Sequence, residues 1–144
     1  MEEIHKLAKK NKIKVIEDAA HALGAKYKDG TMVGNCKYSD MTGFSFHPVK
    51  SIAAGEGGMI TTNNKRLYKK LLKLRSHGIN KLDDKLINTE LAFTGDIKNP
   101  WYYEMQELGY NYRITDIQCA LGQSQLKKLN KFIERRLELV LRYD

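Results

Sequence analysis

The run Gly43-Phe44-Ser45-Phe46-His47-Pro48-Val49-Lys50-Ser51, followed by Gly55-Glu56-Gly57-Gly58, contains the residue types that carbonyl chemistry needs. A lysine attacks an aldehyde only as the free amine, so a reactive lysine needs a fixed position in a pocket that disfavours its charged form. Here a strand ending near Ser45 delivers the chain into a loop constrained by Pro48, and that loop presents Lys50 before the glycines. Taken by itself, Lys50 is also readable as a surface lysine beside a glycine-rich turn. Asp18 closes a short apolar run and has two readings as well, a functional carboxylate or the N-cap of a following helix.

The elements that must position these residues follow from periodicity. Ile4, Leu7 and Ala8 share one helical face, and Ile13 to Glu17 reads as a buried strand with Asp18 at its carboxyl end. Asp29-Gly30 marks a turn between Ala25-Lys26-Tyr27 and Met32-Val33-Gly34, so a small hairpin is expected there. Met41 to Phe46 and Met59 to Thr62 are expected strands on either side of the Lys50 loop. Leu67, Leu71 and Leu74 predict a helix from Asn64 that ends near Gly78. The stretch from Ile79 to Tyr103 has weak periodicity, and its Trp101-Tyr102-Tyr103 cluster reads as core packing. Thr115 and Gln118 have the form of a capping box, which opens a long helix. Its apolar stripe continues through Leu126, Leu129, Ile133, Leu137 and Leu141.

Composition narrows the partners. The 144 residues carry a formal net charge of +8, with 42% hydrophobic and 29% charged residues, ordinary for one compact globular unit. The basic residues Lys9, Lys10, Lys69, Lys70, Lys73, Lys127, Lys128 and Lys131 are spread over helical stretches as solvated faces, so no nucleic-acid partner is expected. An anionic small substrate fits the charge equally well. Cys36 and Cys119 lie far apart with no ligand spacing around them, so neither a metal site nor a disulfide is expected. Glu2 and Glu3 follow Met1, and no long apolar run occurs. A soluble, cytoplasmic protein without membrane contact is the expectation.

Three segments then bear on identity: Val15-Ile16-Glu17-Asp18-Ala19-Ala20-His21, Phe44-Ser45-Phe46-His47-Pro48-Val49-Lys50 and Gly109-Tyr110-Asn111-Tyr112-Arg113. In this order and spacing they resemble successive motifs of the DegT/DnrJ/EryC1/StrS family of sugar aminotransferases, which use pyridoxal 5'-phosphate (PLP). The resemblance covers essentially the whole chain. Arg75-Ser76-His77-Gly78 and Asn99-Pro100-Trp101-Tyr102-Tyr103-Glu104 are most similar to the branch that aminates UDP-linked 4-keto sugars for pseudaminic-acid-type surface glycans. Perosamine-type and bacillosamine-type enzymes share most of these residues.

The resemblance implies an α/β fold, the second half of a fold-type I PLP-transferase large domain, with a mainly parallel sheet and helices on both faces. Residues 1–144 are then expected to form part of that domain, without its N-terminal part and without the C-terminal small domain. It implies Lys50 as the catalytic residue, holding PLP as a Schiff base and afterwards carrying the proton. Asp18 would pair with the protonated pyridine nitrogen, where a carboxylate keeps the ring an electron acceptor. His21 would contact the phenolic oxygen and Ser45 the phosphate. Asn111 would reach the cofactor phosphate of the partner subunit, in a homodimer whose active site crosses the interface. Without the resemblance, His21 reads as a packed histidine and Asn111 as a loop asparagine, and His47 keeps either a structural or a site role. Glutamate would donate the amino group. Family members are considerably longer, so weak cofactor binding and no transamination are expected of this chain in isolation. An inactive remnant that only folds or pairs with another chain stays open. A sugar dehydratase of the same fold is disfavoured, because a histidine replaces the lysine in those that resemble this family.

Overall fold

The computed structural model describes residues 1–80 and 85–143. Length alone points to one compact unit, but the chain forms two: Met1–Asn64 together with Ile114–Asp144, and Lys65–Arg113.

The first unit opens with α1 (Glu2–Lys10), whose acidic first turn and basic last turn complement the helix dipole. Of its predicted apolar face, Ala8 is buried, whereas Ile4 and Leu7 stay exposed. The first strand, β1, spans Ile16–Asp18 and so starts later than the apolar run suggests. The reason lies in Asp40, whose carboxylate accepts the Val15 N–H at 2.9 Å and the Lys14 ammonium at 2.8 Å. These bonds commit the residues before Ile16 to the loop ahead of the next strand. The turn at Asp29-Gly30 forms, with Tyr27 N–H on the Thr31 carbonyl. Strand pairing around it is limited to a single bridge, Lys26 with Met32.

Strand β2 (Met41–Ser45) pairs parallel to β1, with Ile16 opposite Met41 and Asp18 opposite Gly43. Strand β3 (Gly58–Thr61) returns antiparallel, with Ser45 opposite Gly58. The part of the sheet in this chain thus has one parallel and one antiparallel pairing. The reversal between β2 and β3 is closed by Phe46 N–H on the Gly57 carbonyl at 2.8 Å. Gly58 is required there because a Cβ would meet the Phe44 carbonyl oxygen at 2.6 Å. Phe46, Ile52 and Ala54 anchor this loop in the core, packed by Leu23, Phe44, Ile114 and Leu129.

The predicted capping box is present. Thr115 and Gln118 satisfy each other's backbone at the start of α4 (Asp116–Leu126). The single long helix is not observed. At Lys127 and Lys128 the ladder tightens, with Lys128 N–H on the Gln125 carbonyl, and a separate α5 runs Leu129–Tyr143. Its stripe is buried only in part, since Leu137 and Leu141 are exposed.

The second unit holds α2 (Lys65–Leu74), within the predicted range, and a one-turn α3 (Thr89–Ala92) that leads into a minimal hairpin, β4 (Phe93–Thr94) and β5 (Ile97–Lys98). The core reading of Trp101-Tyr102-Tyr103 does not hold, because Trp101 and Tyr103 are 66% and 64% exposed. Only Tyr102 turns inward, where its hydroxyl donates to Glu104 at 3.0 Å, and its neighbours in this extended stretch face outward. Burial acts to raise the Glu104 carboxyl. The N–H groups of Ile87 and Asn88, with Gln106 and Tyr102, outweigh it and hold the group at about 2.

Candidate functional site

Strand geometry separates neighbouring residues of β1 onto two faces. The Glu17 carboxylate accepts the hydroxyls of Tyr27, Ser39 and Thr42, and Thr42 is fully buried. Burial, and then the bond to Glu17, push the Tyr27 phenol far above its ordinary value. By alternation, Asp18, Gly43 and Ser45 belong to the opposite face. Gly43 leaves that face open, since a Cβ built on it would meet nothing nearer than the Glu17 carbonyl oxygen at 4.0 Å.

Asp18 and Ser45 both lie at the carboxyl end of the parallel pair, where α/β folds bind ligands. Asp18 is exposed, and one of its oxygens accepts the Ala20 N–H at 3.0 Å. Ser45 accepts the His47 N–H at 3.3 Å, which ties the strand end to the loop. The loop turns at once, with Lys50 N–H on the His47 carbonyl at 2.9 Å. The half-buried Lys50 places Nζ 2.7 Å from Nε2 of His21, three residues beyond the end of β1. An ammonium has donors only, so in that form Lys50 donates and His21 carries its proton on Nδ1.

The structure therefore brings Lys50 and His21 together and sets Asp18 and Ser45 at adjacent strand ends. Asn111 belongs to the second unit, where it is exposed and forms a backbone bridge with Ser76, and the rings of its chain neighbours Tyr110 and Tyr112 stack on each other. Two features escaped the sequence reading. His47 Nδ1 lies 2.9 Å from Glu56, pairing the two ends of the loop, and Arg136 donates to the Lys50 carbonyl at 3.0 Å. The sequence places Arg136 on the same helical face as Leu129, seven residues on, but carries no signal that this face meets the Lys50 turn.

An amine, a carboxylate and a hydroxyl thus lie at the carboxyl end of the β1–β2 pair, the end at which α/β folds bind ligands. The chain belongs to the DegT/DnrJ/EryC1/StrS aminotransferase family, whose model matches residues 1–144. It is 48% identical to the UDP-4-amino-4,6-dideoxy-N-acetyl-beta-L-altrosamine transaminase of Campylobacter jejuni subsp. jejuni serotype O:23/36 (strain 81-176), over all of this chain and 33% of that protein. It is 37% identical to the GDP-perosamine synthase of Escherichia coli O157:H7, over 96% of this chain and 32% of that one. Among solved structures, Helicobacter pylori PseC, an aminotransferase involved in the biosynthesis of pseudoaminic acid, superposes with a TM-score of 0.82 at 36% identity. That match covers 99% of this chain and 33% of PseC. A Streptococcus pneumoniae protein in its PLP-form matches with a TM-score of 0.71 at 33% identity, over 92% of this chain and 30% of that one. The chain thus spans about a third of the length of these relatives. Among the described residues, no helix is long and apolar enough to cross a membrane.

Proposed function

We propose that Lys50 is the residue that holds PLP in an aminotransferase that moves an amino group from glutamate to a UDP-linked 4-keto sugar for pseudaminic-acid-type glycans. The observation that carries this reading is the 2.7 Å contact of Lys50 Nζ with His21 at the carboxyl end of β1 and β2, beside Asp18 and Ser45. The residue set suits the cofactor. An amine answers its aldehyde, a carboxylate its ring nitrogen and a hydroxyl its phosphate, and Gly43 keeps the sheet face between Asp18 and Ser45 clear for a flat ring.

When bound, PLP supplies a carbonyl that carries the amino group and a ring that accepts an electron pair. Lys50 would hold the cofactor at that carbonyl and would serve as the acid/base that moves a proton to or from the substrate carbon. The Asp18 carboxylate holds a proton on the ring nitrogen, and its bond from Ala20 N–H fixes the direction in which it points. His21 orients the lysine and would contact the cofactor's phenolic oxygen. The sugar and nucleotide follow from likeness to the altrosamine transaminase. In this reading the enzyme works as a homodimer, and Asn111 serves the cofactor phosphate of the partner subunit.

The test is to incubate the chain with PLP, reduce with borohydride and map the label by peptide mass. The label is expected on Lys50, above helix-surface lysines such as Lys131. Equal labelling of the two would defeat the reading.

A further inference from the structure

Helix α5 contributes a contact that the proposed cofactor residues do not explain. Arg136 Nη2 donates to the Lys50 carbonyl at 3.0 Å, across 86 positions of sequence. The Lys50 N–H is already taken by the His47 carbonyl. Both peptide groups that flank the Lys50 Cα are therefore held, the first by the turn and the second by Arg136. Because each peptide is planar, holding both fixes the two backbone dihedrals of Lys50 and hence the direction in which its side chain leaves. Packing does not do this work at the tip of the loop, where Val49 is 71% exposed.

The same helix bears on the partner of Lys50. A Cβ built on Gly24 would lie 2.5 Å from Ile133 Cδ1 and 3.3 Å from Leu129 Cδ2, so both side chains rest on that glycine. Gly24 belongs to the turn that carries His21, closed by Ala22 N–H on Ala19 and Ala25 N–H on Ala22. Positions 129, 133 and 136 share one face of the helix. One face of α5 thus spans the His21 turn and the Lys50 turn, while the adjacent Arg135 is engaged with Glu138 at 2.7 Å.

We infer that Arg136 is a positioning residue for Lys50, clamping the lysine turn from α5 so that Nζ meets His21. The inference rests on the reading of Lys50 as the cofactor lysine, and the two can be tested separately. Hydrogen–deuterium exchange on the 144-residue chain without cofactor reads the clamp alone. Arg136→Met keeps the stem and removes the donor, and should raise exchange at amides 47–53 about tenfold while leaving β1 and β2 unchanged. Arg136→Lys returns one donor and should recover part of the protection, and Arg135→Met should change nothing. After PLP and borohydride, the share of label on Lys50 relative to Lys131 should fall several-fold in Arg136→Met and recover in Arg136→Lys. Unchanged exchange at 47–53, or a rise spread evenly over the sheet, overturns the clamp. If Arg136→Met fails to fold, Arg136→Lys decides, because full loss of local protection there would show that a donor at this position does not suffice. A wild-type chain that shows the exchange pattern but takes no label at Lys50 would sink the PLP reading and leave the clamp standing.

Discussion

The two faces of the β1–β2 pair use similar residues for opposite ends. On one, Glu17 accepts three hydroxyls, and Thr42 and Cys36 complete a closed polar set under the sheet. On the other, Ile16 and Ile60 are 69% and 53% exposed, and Asp18 holds a single backbone N–H. Two carboxylates one residue apart therefore have different duties. Glu17 is consumed by structure, whereas Asp18 keeps acceptor capacity in reserve. A strand is an efficient way to arrange this, because alternation separates adjacent residues onto different faces.

The largest expected effect comes from removing the amine that the open face serves. On the proposed reading, Lys50→Ala should abolish the borohydride-fixed pyridoxyl label in this loop and, in a full-length context, lower amino transfer from glutamate by at least about 10²–10⁴-fold, the usual worth of a positioned acid/base group. Folding should be little affected, since the lysine contributes an exposed hydrogen bond rather than core. Retained transfer with an unlabelled loop would place the chemistry elsewhere.

A paired substitution breaks the comparison between faces directly. Glu17→Ala leaves the Tyr27 hydroxyl without its acceptor and removes one partner from the buried Thr42 hydroxyl, a loss of about 2 kcal/mol. Thermal unfolding should shift down by roughly 5–8 °C in a chain of this size. Asp18→Asn keeps an oxygen for Ala20 N–H and should stay within about 0.5 kcal/mol of wild type, while slowing proton abstraction in the presence of PLP. Equal stability losses for the two would mean that the faces do not differ as described.

Much of this was legible in the sequence, for identifiable reasons. The capping box at Thr115 and Gln118, the strand expected over Met41 to Phe46 and the turn at Asp29-Gly30 are local signals; the cap and the turn form, the strand ends one residue earlier at Ser45, and the hairpin around the turn is reduced to one bridge. The start of β1 lies later than the apolar run suggests because Asp40, far along the chain, claims Val15. The exposure of Trp101 and Tyr103 was misjudged because aromatic content says nothing about which side of an extended segment is covered. Lys50, Asp18, His21 and Ser45 are proposed as site residues from the motifs that hold them, and the structure sets them at or beside the ends of β1 and β2. Arg136 is not found that way, since its role depends on helix α5 lying across two turns more than 80 residues upstream.

The smallest expected effect concerns how the closed side responds to acid. Asp29 accepts from the Lys37 ammonium and the Tyr38 hydroxyl at 2.6 Å each, and from the Thr31 N–H at 3.0 Å. The bond from Lys37, then those from Tyr38 and Thr31, hold its carboxyl well below the ordinary value of 3.8. Asp40 is lowered in the same direction, first by Lys14 and then by the Val15 N–H. A carboxyl that is lowered in the folded state stabilises the fold above its unfolded value, and that contribution is lost as pH falls through 3.8 toward the folded value. The bonds concerned fasten the segment carrying Tyr27 and Tyr38 and the entry to β1, both on the Glu17 side. Lowering the pH from 5 to 2 should therefore raise hydrogen exchange first at amides 26–40 and at Val15. Both ion pairs involve exposed lysines, so the effect should be modest and should shrink in high salt. Asp29→Asn can keep its one oxygen on the Thr31 N–H, while its amide nitrogen takes the place of the oxygen that accepted from Tyr38 and Lys37 and can only donate, to the Tyr38 hydroxyl oxygen; it no longer titrates or pairs with the Lys37 charge, so its exchange at 26–40 should be flatter across this range. If wild type and Asp29→Asn have the same pH dependence there, the acid sensitivity of the closed side arises from some other group, and Asp29 is removed from its account.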